Sequence, residues 1–292
     1  MKRIPIFLTF VLFTGIILSS CSGRATSIPP TATLLPSTPT ATEMPMALKV
    51  NGEGILLTEY QAELARLQKA QTDLGTTATA DKQRDRVIED FTDQLLLAQQ
   101  AVKDGYSVDE ATLKTRVDAL ATSMGSADKL AAWESANGYA DDAFKTALKR
   151  EISADWERDK IINAVPATAD QVHALQILVQ DQATAQSLLA ELKAGSDFAT
   201  LALTLDPTTG GDLGWFPKGY LTQPDVETAA FSLDVGKYSD IIKSDLGYHI
   251  IYVVKHEDHA LSVDARRALQ ENTLNEWLQS QKSTAKIEII VQ

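Results

Sequence analysis

The chain contains a single cysteine, Cys21, among 292 residues. No intramolecular disulfide can form, whatever the redox state of the compartment. Positive charge is also scarce: 27 Lys and Arg face 39 Asp and Glu, a formal net charge of −12. That balance argues against nucleic acid, and against anionic lipid, as a partner of the folded body. No glycine-rich phosphate loop, zinc-ligand spacing or Ser-His-Asp order stands out, so no cofactor and no metal is expected. Only the start of the chain holds a long apolar run, and Ile4 to Leu18 is too short to span a bilayer comfortably. The composition of the whole chain is ordinary for a globular protein, with 44% hydrophobic and 23% charged residues, and its length suits one to three domains.

Lys2 and Arg3 precede that apolar run, the order of a secretory signal peptide. Leu18-Ser19-Ser20-Cys21 resembles the lipobox of bacterial lipoprotein precursors, in which the cysteine thiol takes a diacylglyceryl group. Residues 1–20 are therefore expected to be a signal peptide and Cys21 the lipidation site. The mature chain would then sit outside the cytoplasm, lipid-anchored to a bacterial cell membrane. Residues 21–46 are rich in Thr, Pro and Ser and nearly free of charge. Such a segment cannot bury a core and reads as a disordered tether.

Residues 47–165 read as mostly helical. Ala47 to Gly52 fits a short strand ending in an Asn-Gly turn. Thr58, with Gln61 three residues on, fits a capping box at the first helix. Val87, Ile88, Phe91, Leu95 and Ala98 recur at helical spacing, and Ser107 or Asp109 caps the helix after that. Two more helices fit 126–136 and 140–162. Pro166 stops the run, and 167–171 reads as a linker.

The most informative stretch is 172–255. His173 to Val179 and Gly247 to Val254 read as buried strands. Helices fit 183–193, 198–203 and 228–231. Gly210-Gly211 marks a tight turn, followed by Asp212-Leu213-Gly214-Trp215-Phe216. His256-Glu257-Asp258-His259 has the look of a metal cluster, but it falls after the last strand and is expected to be solvated. Beyond it, 263–281 fits a helix and 286–291 a strand.

The Gly-Gly-Asp-Leu-Gly-Trp-Phe and Gly-Tyr-His-Ile-Ile motifs, in this order and spacing, resemble the parvulin-type peptidyl-prolyl cis/trans isomerases. The flanking segments, with Val50-Asn51-Gly52 before a long helix and Gly105-Tyr106 further on, resemble foldases and chaperones of the PrsA and SurA type. The resemblance implies an α+β fold: a parvulin-like domain, 166–260, inserted in a mostly helical chaperone body. That domain would be a small antiparallel sheet with surrounding helices. The carboxyl-terminal piece, 261–292, would return to the amino-terminal region, with 285–291 pairing near 47–51.

The implied activity is isomerisation of X–Pro bonds in unfolded exported polypeptides, with no cofactor. The implied proline pocket falls on Leu213, Leu221 and Val226, with Phe231 beneath. Val226 stands where the family usually has an aromatic. The implied polar set is His249, Asp206 and, in place of the family's first histidine, Gln176. His173 lies three residues away on the same strand and should face the other side. Taken by residue type alone, Leu213 and Leu221 fit plain core equally well, His249 a satisfied core histidine, and Asp206 before Pro207 a turn starter. Three functions stay open at this point. The chain could be an active isomerase and chaperone, a parvulin-fold chaperone that only binds clients, or a tethered scaffold.

Overall fold

The computed structural model describes residues 44–291. The expected signal peptide, Cys21 and most of the expected tether lie outside the described residues.

The amino-terminal unit opens with a hairpin of β1 (Met46–Val50) and β2 (Glu53–Leu56). Asn51 and Gly52, at φ 53° and 91°, form its turn, and two adjacent positive φ values suit the twist of a two-residue hairpin. Five helices follow: α1 (Leu57–Asp73), α2 (Ala80–Lys103), α3 (Glu110–Met124), α4 (Ala127–Ala136) and α5 (Asp141–Asn163). Thr79, Asp109 and Ser126 cap α2, α3 and α4 through their side chains. The capping box expected at Thr58 is absent. β2 runs straight into α1 and leaves no loop for a cap. Leu56 takes the cap position without a side-chain bond, and the Leu57 N–H goes instead to the Pro45 carbonyl at 2.8 Å. Leu48, Val50, Ile55, Val87, Phe91 and Leu95 form the buried centre of this unit.

The central unit is β3 (Thr168–Val179), α6 (Gln182–Lys193), α7 (Phe198–Leu205), β4 (Asp212–Pro217), α8 (Pro224–Ser232), β5 (Ile242–Ser244) and β6 (Gly247–Ala260). Its four strands form one antiparallel sheet in the order β4-β3-β6-β5. Two expectations need correction here. Most of the supposed linker is strand, since Thr168 opposes Ala260 and Gln171 opposes Glu257. For the same reason His256 to His259 lie within β6 rather than after it. Backbone pairing has carried the sheet past the point where apolar alternation stops, a limit of any pattern-based boundary.

Side chains alternate across a strand, so Val172, Ala174 and Gln176 share one face of β3, and His249, Ile251 and Val253 one face of β6. The register sets Ala174 opposite Val253 and Gln176 opposite Ile251, so these are the same face of the sheet. Phe216, Val226 and Ala230 cover it, with Leu213, Leu221, Phe231 and Ile242 half-buried at its margin. The other face carries Ile177 and Ile250, packed against Leu188 and Leu192 of α6 and Phe198 and Ala202 of α7.

The chain then returns to its beginning. Leu278 of α9 (Val263–Thr284) is buried with Leu97, Ala98 and Ala154. β7 (Ile287–Ile289) pairs with β1, Leu48 opposite Ile289, completing a sheet of order β2-β1-β7. The four-stranded sheet is thus inserted between two parts of a helical body.

One close approach fixes the centre of the insertion. Gln176 N–H donates to the Gly211 carbonyl at 2.8 Å. Gly211 sits at φ 71° and is buried, and a Cβ there would overlap the Gln176 carbonyl oxygen. Only glycine accepts both the backbone angle and the contact. Gly211→Ala is expected to destabilise the chain by roughly 3 kcal/mol or more. The loss of the denaturant midpoint measures it.

Candidate active site

His249 is 2% exposed, and both ring nitrogens have partners. β5 and β6 form a tight hairpin in which Ser244 opposes Gly247 and Ile242 opposes His249. That register brings Ser244 Oγ to 2.6 Å from Nε2. On the other side, Nδ1 lies 3.2 Å from Gln176 Oε1. An amide oxygen only accepts, so Nδ1 carries the proton and Nε2 accepts from the serine hydroxyl. Ser244 Oγ in turn accepts from the Leu246 N–H at 3.0 Å. The chain of donors runs one way, from Leu246 through Ser244 to His249 and on to Gln176. Burial holds the His249 pKa below its ordinary value of 6.5, because the low-dielectric surroundings disfavour the imidazolium. The ring is therefore neutral at neutral pH.

The neighbours on this face are apolar. Leu213 and Leu221 are half-buried against Ala174, Ile251 and Val253. Phe231 stands edge-on to Phe216, with ring centroids 6.0 Å apart. The structure thus brings together His249, Gln176, Leu213, Leu221 and Phe231 on one face of the sheet. It does not place Val226 as a lining residue. Val226 is 2% exposed and forms part of the floor, because the first turn of α8 aims it into the sheet.

Asp206 is not joined to this set. Its carboxylate accepts from the Thr208 and Thr209 N–H groups at 3.0 and 3.2 Å, and from the Thr209 hydroxyl. These bonds, the Thr209 hydroxyl first, hold its pKa below the usual carboxylate range. The Asp206 carbonyl also accepts from Gly210 N–H at 2.8 Å. The loop to the double glycine is so short that the carboxylate folds onto its own turn, the ordinary behaviour of an Asp before Pro.

Ser244 was not singled out from the sequence. The available signal was a hydroxyl at the mouth of a short hairpin, five residues before the histidine of the Gly-Tyr-His motif. Of the other histidines, His256 reaches the margin of the site, edge-on to Phe231 with ring centroids 5.5 Å apart. His173 faces the opposite side and meets Asp212 at 2.8 Å. His256 pairs with Asp170 at 2.9 Å, and His259 stacks on Trp215 with centroids 4.3 Å apart. Among the described residues no group of three or more His, Cys, Asp or Glu is placed to hold a metal ion.

The central unit is a small antiparallel sheet flanked by helices, with an imidazole and a hydroxyl set beside an apolar margin. Comparison with known proteins identifies the class of this domain. Residues 160–257 match the PPIC-type PPIase domain, and residues 36–131 match the SurA-like N-terminal domain. The foldase protein PrsA of Caldanaerobacter subterraneus subsp. tengcongensis is 29% identical over 270 residues, covering 86% of this chain and 81% of the relative. The foldase protein PrsA of Geobacillus kaustophilus is 45% identical over 92 residues, 30% of this chain and 32% of the relative. The crystal structure of the peptidylprolyl isomerase PrsA from Bacillus anthracis aligns at 27% identity with a TM-score of 0.38, covering 64% of this chain and 94% of that one. Residues 160–257 are thus a PPIC-type peptidyl-prolyl cis/trans isomerase domain, preceded by a SurA-like N-terminal domain over residues 36–131.

The buried imidazole has a consequence for stability. Its pKa is depressed in the folded state, so the unfolded chain takes up the proton first as pH falls. Its contribution is full above about pH 6.5 and is lost as pH drops toward the folded pKa. Between pH 7.5 and 5.5 the urea midpoint of the wild type is expected to fall more than that of His249→Gln. Parallel curves would contradict this.

Proposed function

We propose that the chain is a membrane-anchored foldase working outside the cytoplasm, with its catalytic site at Ser244, His249 and Gln176 beside Leu213, Leu221 and Phe231. Its clients are unfolded exported polypeptides with X–Pro bonds. The observation that carries the site assignment is the buried, doubly hydrogen-bonded His249 on the same sheet face as the half-buried Leu213 and Leu221.

Rotation about an X–Pro bond faces a barrier of roughly 20 kcal/mol, because amide resonance is lost in the twisted state. No bond is broken, so catalysis consists in favouring the twisted amide over the planar one. The apolar margin suits the proline ring. Leaving water lowers the advantage of the polar, planar amide over the twisted one, whose carbonyl has lost its resonance charge. The Ser244 hydroxyl and the neutral imidazole are fixed dipoles that need no reorganisation during rotation. Gln176 holds the ring through its oxygen. Among the described residues its amide nitrogen has no protein acceptor, and it is free to donate to the substrate carbonyl. An amide in place of a second histidine keeps the hydrogen bonds and gives up the proton equilibrium.

The test is cis/trans exchange of a short X–Pro peptide. Wild type is expected to accelerate exchange, and His249→Ala and Ser244→Ala to lose about tenfold or more of kcat/KM with the fold retained. No acceleration by a folded wild type would contradict the catalytic assignment. The replacement of a family histidine by Gln176 favours the second reading, a client-binding chaperone without turnover. That reading predicts suppression of client aggregation that His249→Ala leaves intact, alongside no exchange catalysis.

The anchoring rests on the sequence at Cys21. No helix among the described residues is long and apolar enough to cross a membrane. Attachment through Cys21 is open to a direct test. Cys21→Ser is expected to move the chain from the membrane fraction to the soluble one. Retention in the membrane would show another means of attachment.

A further inference from the structure

Three successive backbone N–H groups converge on one carboxylate at the edge of the apolar margin. Gly219 N–H donates to Glu227 Oε1 at 2.6 Å, and Tyr220 and Leu221 N–H donate to Oε2 at 3.0 and 2.9 Å. Glu227 lies in the first turn of α8, where the helix N-terminus favours an anion. Gly219, at φ 83°, bends the backbone so that successive N–H groups face the same way.

The opposite side of this loop is held from outside the isomerase domain. The Gly219 carbonyl accepts from Asn272 Nδ2 of α9 at 2.6 Å. α9 is itself fastened to the helical body. Gln270 Nε2 donates to the Ile162 carbonyl at 3.0 Å, Lys282 meets Asp93 at 2.6 Å, and Leu278 is buried against α2 and α5. Glu227 and Asn272 therefore grip the same few residues from two directions, and Leu221 is the last of them.

We propose that Glu227 and Asn272 are positioning residues of the isomerase. They clamp loop 218–221 so that Leu221 stands at the distance a proline ring needs, and they tie that distance to the placement of α9 on the helical body. The inference rests on Leu221 forming part of the proline cradle. Neither residue contacts Ser244, His249 or Gln176. Loosening the clamp should therefore weaken peptide binding before it slows rotation of the bound peptide.

The test uses the intact chain and an X–Pro peptide, with kcat and KM separated for wild type, Glu227→Gln, Glu227→Ala and Asn272→Ala, and thermal midpoints taken alongside. Asn272→Ala is expected to raise KM about threefold, with kcat within about twofold of wild type and an unchanged midpoint. Glu227→Ala should raise KM about tenfold. Glu227→Gln keeps one acceptor oxygen and should fall between wild type and Glu227→Ala. If Glu227→Ala unfolds, the other two variants decide. Wild-type KM in both of them, in an active enzyme, overturns the clamp. Wild-type KM in Asn272→Ala alone overturns the link to α9. An inactive wild type overturns the cradle assignment first, and the clamp with it, before any variant is compared.

Discussion

A buried imidazole has two nitrogens to satisfy, and leaving either without a partner would cost on the order of 1–3 kcal/mol. At His249 the demand is met by a hydroxyl on one side and an amide oxygen on the other. Much of the central domain's construction serves that arrangement. The β5–β6 hairpin must be tight for Ser244 to reach Nε2. β3 must run beside β6 in the observed register for Gln176 to reach Nδ1. The double glycine must let β4 begin directly against Gln176. Because the partners are neutral and the ring is buried, it stays uncharged. An uncharged, oriented dipole suits a reaction that makes no ion and breaks no bond.

The second constraint is the joining of two units through a single returning segment. α9 and β7 lie after the isomerase sheet in the chain but pack on elements that precede it. Sequence-distant pairing of this kind closes the body around the insertion. It also places a polar residue of the body, Asn272, on the loop that carries Leu221. The isomerase margin is accordingly built from residues of both units, and its geometry is not a property of the sheet alone.

Much of this could be read from the amino-acid pattern. The buried runs at His173 to Val179 and Gly247 to Val254 announced β3 and β6. The adjacent glycines announced the turn that Gly211 makes against Gln176. His173 falls on the opposite face from His249, as strand alternation requires. What could not be read was mostly side-chain direction at short range. Asp206 has the right type and place for a polar partner, yet a two-residue turn satisfies its carboxylate locally. Val226 lies close to the pocket in sequence but faces the sheet. Ser244 carries no periodic signal, and only the hairpin register reveals it. The end of β6 eluded the pattern because His256 to His259 are polar, and backbone pairing does not depend on polarity. The missing cap at Thr58 has a similar origin, since the Pro45 carbonyl, just before β1, took over the work of a side chain.

The central claim is that His249 is a neutral imidazole, protonated on Nδ1, bridging Ser244 and Gln176. Long-range ¹H–¹⁵N NMR of histidine-labelled protein at neutral pH tests it most directly. The account predicts a protonated, pyrrole-type Nδ1 and an unprotonated, pyridine-type Nε2 for His249, with the Nε2 signal perturbed in Ser244→Ala and again on adding an X–Pro peptide. A charged ring, a proton on Nε2, or a signal indifferent to both the serine and the peptide would contradict it.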